Sequence, residues 1–264
     1  MRATTLLWAA LLCATPVLAQ EDAVAEPEPT LSERIDEFRE LIQGREPDDA
    51  AAIERVSGFV SDYPDLEDRD KADLLRALGD ALVSSRVRRP PEEQGLYVAV
   101  ATALGEMEGE GGLVLVKAYR SSKFKDREWV GLRATMLESI GRTADPRHVD
   151  FLLDRAIRDP EDKILQAAGA ALGDYEGAPQ KVRKEIGKEL IKKFNEIYNQ
   201  AYDNVDPNDP LVKRFKEKLV AISDDWNQTL RRLTKQTYTN PQEWQRFYNK
   251  NKNNDWDDPA AIEH

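Results

Sequence analysis

Cysteine is nearly missing from this chain. Of its 264 residues only Cys13 is a cysteine, so no intramolecular disulfide can form and the fold must be held by packing. Histidine is almost as scarce, with His148 and His264 the only two. There is no HExxH, no Cys/His cluster and no paired-histidine spacing, so no zinc centre is expected. One histidine without a nucleophile beside it makes no reaction class. His148, in the first turn of a helix near Asp145 and Asp150, is expected at the surface. A phosphate-binding loop is missing too. Gly109-Glu110-Gly111-Gly112 has no lysine following in register and reads as a turn. Excess positive charge is absent: 49 acidic residues oppose 38 basic ones, for a formal charge of −11. That balance opposes non-specific binding to nucleic acid or to an anionic membrane. Catalytic, metal and cofactor-binding residues are therefore all expected to be none.

The first residues do not read as part of a fold. Arg2 is followed by the apolar run Leu6 to Leu12, and Val17-Leu18-Ala19 carries compact side chains. This is the pattern of a secretory signal peptide, residues 1–19, cleaved after Ala19, which places the protein in the periplasm or outside the cell. The run is too short for a membrane span, which needs about 20 residues. Leu12 stands where a lipoprotein signal carries a small residue, which argues against Cys13 as a lipid anchor. Residues 20–30, with Glu26-Pro27-Glu28-Pro29, read as an acidic extended leader. From Glu21 to Asp49 there are 11 acidic and 3 basic residues, and from Lys213 to Lys252 there are 10 basic and 4 acidic.

From Leu31 onward the apolar residues recur at spacings of three and four, the mark of helices with one buried face. Residues 31–92 hold three such helices, ending in the loop Arg86 to Pro91, and read as a possible N-terminal cap. Residues 93–178 are more regular. The phrase Ala77-Leu78-Gly79 recurs as Ala103-Leu104-Gly105, Ser139-Ile140-Gly141 and Ala171-Leu172-Gly173, with glycines 26, 36 and 32 residues apart. Each phrase closes an apolar run. Glycine there suits the left-handed conformation that ends a helix. Asp145-Pro146 and Asp159-Pro160 read as helix starts. Residues 179–236 carry two long stripes, Val182 to Ala201 and Leu211 to Leu233, joined by a turn at Asp206 to Pro210, and predict an antiparallel hairpin. Residues 237–264 begin with Asn240 as a helix cap and continue through Trp244, Phe247 and Tyr248. The tail from Asn249 reads as frayed, apart from a docked Trp256.

The small-Leu-Gly closures, the Asp-Pro starts and alanines such as Ala167, Ala168, Ala170 and Ala171 resemble the HEAT family of α-solenoids. The expected fold class is all-α, a solenoid of HEAT-like antiparallel helix pairs ending in a long helical hairpin. The C-terminal passage resembles the ending of secreted bacterial HEAT-repeat proteins. That ending reads L-x-x-L-T-G-x-x-aromatic, then N/D-P-x-x-W-x-x-aromatic-aromatic-x-x-N. The matching residues are Leu230, Leu233, Thr234, Tyr238, Asn240, Pro241, Trp244, Phe247, Tyr248 and Asn251. Lys235 replaces the family's glycine, and Phe247-Tyr248 its tryptophan pair.

Two readings of this aromatic passage stand. Trp244, Phe247, Tyr248 and Trp256, interleaved with Arg231 and Arg232, make an interaction face, or they cap the open end of the solenoid. A non-catalytic protein-binding or scaffold module is the leading function, its partner another protein. Alternatives are a carboxylate-dependent enzyme acting on cell wall, with Glu128 or Glu138 as acid, and a structural subunit that assembles through the long hairpin.

Overall fold

The computed structural model describes residues 29–263, apart from 44–46, 85, 203–205 and 207. The expected signal segment, the leader up to residue 28, Cys13 and His264 lie outside the described residues. Among the described residues there are eleven α-helices and no strand. They are α1 (Leu31–Gln43), α2 (Asp49–Asp62), α3 (Asp68–Val83), α4 (Gly95–Glu106), α5 (Glu108–Arg120), α6 (Val130–Arg142), α7 (Val149–Arg158), α8 (Asp162–Ala171), α9 (Gln180–Tyr202), α10 (Pro210–Thr234) and α11 (Pro241–Asn251).

Their starts follow from local chemistry. Asp48 accepts from the Ala51 N–H at 3.0 Å and opens α2. Asp209 and Asn240 do the same for α10 and α11, each with proline in the first helical position. At α1 the Thr30 N–H donates to Glu33 at 2.8 Å while the Glu33 N–H returns to the Thr30 hydroxyl, a reciprocal box present in the sequence as Thr30-Leu31-Ser32-Glu33. One expected start moves. Asp159 caps the turn at Glu161 instead, and α8 begins at Asp162.

The helices form an all-α, solenoid-like stack of two layers. Even-numbered helices pack in the order α2, α4, α6, α8, α10. In the other layer α1 packs on α3, α3 on α5, α7 on α9 and α9 on α11, while a Tyr119–Phe151 ring contact of 5.3 Å joins α5 to α7. Successive helices pair across the layers, and α9 with α10 forms the long hairpin. One continuous core of buried side chains runs from Ile35 to Ile262, so the segments distinguished in the sequence share it.

The repeated glycines hold this stack together in an unexpected way. None has positive φ; the left-handed residues are Glu108, Ala144 and Lys235. Glu108 and Ala144 each stand three residues past a phrase glycine, and there the helix turns. The glycines are sites of close approach. A Cβ on Gly105 would lie 2.8 Å from Ser139, and one on Gly141 would lie 2.6 Å from the Ala171 carbonyl oxygen. The first residue of each phrase thus sits on the last residue of the phrase before it. Gly173 continues the series against Thr229 of α10. Gly79 is different: it lies inside α3, in the other layer, against Val114 of α5.

Candidate functional site

The C-terminal aromatic passage is built around α11. Trp244 is fully buried and donates its indole N–H to the Asn227 side-chain oxygen of α10 at 2.8 Å; the Asn227 amide donates to the Thr239 carbonyl at 3.1 Å. Trp256 packs on Gly187 of α9 and donates to the Asn251 carbonyl at 2.9 Å. Phe247 lies between them, with ring centroids 6.3 Å from Trp244 and 5.7 Å from Trp256. Tyr248 is half-buried. Trp244, Phe247 and Trp256 therefore pack as buried rings against the α9–α10 hairpin, and Tyr248 is the member of the set that reaches the surface.

The charged members have partners as well. Arg231 is exposed and its Nε donates to the Tyr238 carbonyl at 3.3 Å. Arg232 joins Asp174 at 2.9 Å and Glu176, and its hydrogen bond holds the Glu176 carboxyl below the ordinary carboxylate range. The tail expected to fray is folded back. Asn251 is fully buried, donates to the Glu263 carbonyl at 2.9 Å and accepts from the Glu263 N–H at 2.8 Å. Arg183 of α9, 3 % exposed, donates to the Ala178 and Leu233 carbonyls and to the Asp257 carboxylate. No sequence signal marks Arg183. Asn251 belongs to the C-terminal pattern, which assigns it no role, and the structure supplies one.

His148 is not a surface residue. It is 2 % exposed, with Nε2 3.4 Å from the Gly109 carbonyl oxygen. The glycines read as a turn explain this. Gly109, Gly111 and Gly112 lie in the first turns of α5, where a Cβ on Gly112 would sit 2.4 Å from the imidazole and one on Gly111 2.0 Å from the Leu104 carbonyl oxygen. They make room for the ring and for α4.

Glu128 is exposed in a 3-10 turn before α6. Glu138 stands on the outer face of the even layer. The surrounding protein pushes its carboxyl above the ordinary range, Arg142 and Lys163 draw it back, and Asp225 adds to the rise. Asp225 in turn accepts from Gln166 at 2.6 Å. This face runs from a groove of about 320 Å³ between α2 and α4, lined by Val60, Ala99 and Thr102 among others, to Asp225 on α10. The groove mixes the aliphatic Val56 and Val60 and two alanines with Ser57, Thr102 and Glu106. The large apolar residues exposed among the described ones, Leu113, Tyr202, Leu211 and Val220, do not line the groove. Leu211 was expected inward; Val212 takes that place.

A cavity of about 750 Å³ lies between the Arg86–Pro91 loop and the α5–α6 connection. Arg88, Lys123, Ser121 and Ser122 line it with Asp126 and Trp129. Arg89 is buried beneath, its guanidinium on Asp49 at 2.6 Å and on the Ile42 carbonyl at 3.2 Å. Lys123 donates to the Leu82 carbonyl at 2.8 Å. Tyr97, Phe124 and Trp129 meet edge to face below, with centroids 5.2 to 5.9 Å apart, and fix the connection in place. The cleft is cationic on an acidic molecule.

Among the described residues no group of three or more His, Cys, Asp or Glu side chains gathers as a metal site, and no helix is long and apolar enough to cross a membrane. A scan against protein-family models, a search of curated proteins and a search of solved structures find no match to the chain.

Proposed function

We propose that this chain is a non-catalytic binding or scaffold module of HEAT type, exported from a bacterial cell, with another protein as its partner. The continuous open face of the even layer carries the reading. It spans five helices, carries the α2–α4 groove and the polar residues Glu138, Gln166 and Asp225, and is backed by a core that keeps it in one shape. A surface of this kind recognises a partner by shape and charge. The cationic cleft beside the α5–α6 connection adds a local charge of opposite sign to the molecule as a whole. Export rests on the N-terminal pattern of residues 1–19.

The test is affinity capture from the native envelope, with wild type and Glu138→Arg compared side by side. Glu138 is exposed, so the substitution alters the face and leaves the core intact. A protein recovered repeatedly by wild type and lost with the variant supports the reading. Repeated recovery of no specific partner counts against it.

A further inference from the structure

The α5–α6 connection also borders a second, smaller cleft, of about 290 Å³. Tyr119 and Arg120 enter from the end of α5, Lys125 from the connection, Arg133 from α6, and Phe151, Asp154 and Arg155 from α7. Four cations thus meet one carboxylate. Asp154 is engaged by Arg155 and Arg158, and Asp159 stands near Arg155 with an N–O distance of 3.5 Å. Three polar atoms buried in the wall have no hydrogen-bond partner: Tyr119 Oη, Arg133 Nε and Arg155 Nε. Tyr119 is 7 % exposed, and its ring stands edge-on to Phe151. Arg120 lies 5.2 Å from the centroid of the Phe151 ring.

The chemistry of these atoms narrows the ligand. An arginine N–H only donates, and a phenol can donate. Two guanidinium donors and a phenol in the wall of one cleft, under a cationic rim, call for an acceptor that carries negative charge. A carboxylate offers one charge and two oxygens. A phosphate monoester offers three terminal oxygens and close to two charges at neutral pH, which suits the excess of cations here. Guanidinium forks match that group by shape as well as by charge.

We propose that this cleft binds a phosphate group, free or as a monoester, through Arg133, Arg155 and Tyr119, with Arg120 and Lys125 at the rim and Phe151 beside any organic part. The proposal stands on the cleft itself and is independent of the scaffold reading.

Titration calorimetry of the full chain at low ionic strength tests it, with inorganic phosphate, phenyl phosphate and benzoate as probes. One-site, submillimolar binding of the phosphates is expected, with benzoate about tenfold weaker. A phenyl phosphate that binds more tightly than inorganic phosphate marks an ester as the ligand; equal affinities mark the free anion. Tyr119→Phe should weaken binding about tenfold, as loss of a hydrogen bond to a charged group does. Lys125→Gln, at an exposed position, should weaken it about threefold and leaves the fold untouched. No saturable binding of either phosphate overturns the proposal. So does benzoate binding as tightly as phosphate, or an affinity unchanged by Lys125→Gln and, where it folds, by Tyr119→Phe.

Discussion

Lys235 ends α10 in the left-handed region, at φ 61°, where a side chain costs about 1–2 kcal/mol. Lys235→Gly removes that cost and adds back part of it as freedom of the unfolded chain, about 0.5–1 kcal/mol. A net gain of roughly 0.5–1 kcal/mol is expected, read as a higher urea midpoint at unchanged slope. The C-terminal resemblance carries glycine at this place, and the backbone now supplies the reason. Tyr175 makes a second case. Its hydroxyl donates to the Asp145 carbonyl at 2.9 Å, and burial, aided by the Asp145 and Asp174 charges, pushes its ionisation above the ordinary phenol value. The folded state therefore keeps the proton longer than the unfolded one. Its contribution is complete below about pH 10 and is lost as pH rises beyond that. Tyr175→Phe should cost about 1 kcal/mol at neutral pH and should flatten the alkaline fall in stability, measured by urea unfolding across pH.

At the scale of the element, the glycines separate two roles that look identical in sequence. Gly58 lies on the exposed side of α2, and a Cβ there would meet nothing within 4 Å, so Gly58→Ala should stabilise by about 0.5–1 kcal/mol through helix propensity alone. Gly141→Ala would drive a methyl to 2.6 Å from the Ala171 backbone and should destabilise by about 2 kcal/mol or more. Paired denaturation curves decide between the two effects. All eleven helices among the described residues are legible in the sequence, because each carries its own apolar stripe, and α1, α2, α10 and α11 also carry a capping residue. The function of Gly105 and Gly141 is not, since a helix end and a close approach both ask for a missing side chain. The burial of His148, Arg183 and Asn251 is equally hidden. His148 and Arg183 are covered by segments distant in sequence, so nothing local marks them, and Asn251 is buried only because the tail through Glu263 folds back over it. The aromatic passage is legible as a choice between cap and face, and the structure buries Trp244, Phe247 and Trp256.

At the scale of the whole molecule, each helix pair relies on its neighbours, so stability should fall away from a damaged end. Truncation after Tyr238 removes Trp244, Phe247, Trp256 and the clamp at Asn251. Hydrogen exchange should then show α9 and α10 opening while α3 to α6 keep their protection; uniform loss across the chain would contradict a stacked, nearest-neighbour architecture. The Asn227 side chain, whose two polar atoms hold α11 through Trp244 and Thr239, has a consequence for how this protein is made. Asn227-Gln228-Thr229 is an acceptor triplet for N-linked sugar. A eukaryotic secretory host attaches the sugar to the growing chain, before α10 and α11 meet. A glycan there would occupy the amide that the cap requires, and the product would leave such a host with its last helix undocked. Bacterial expression, or a host without that transferase, preserves the closed end.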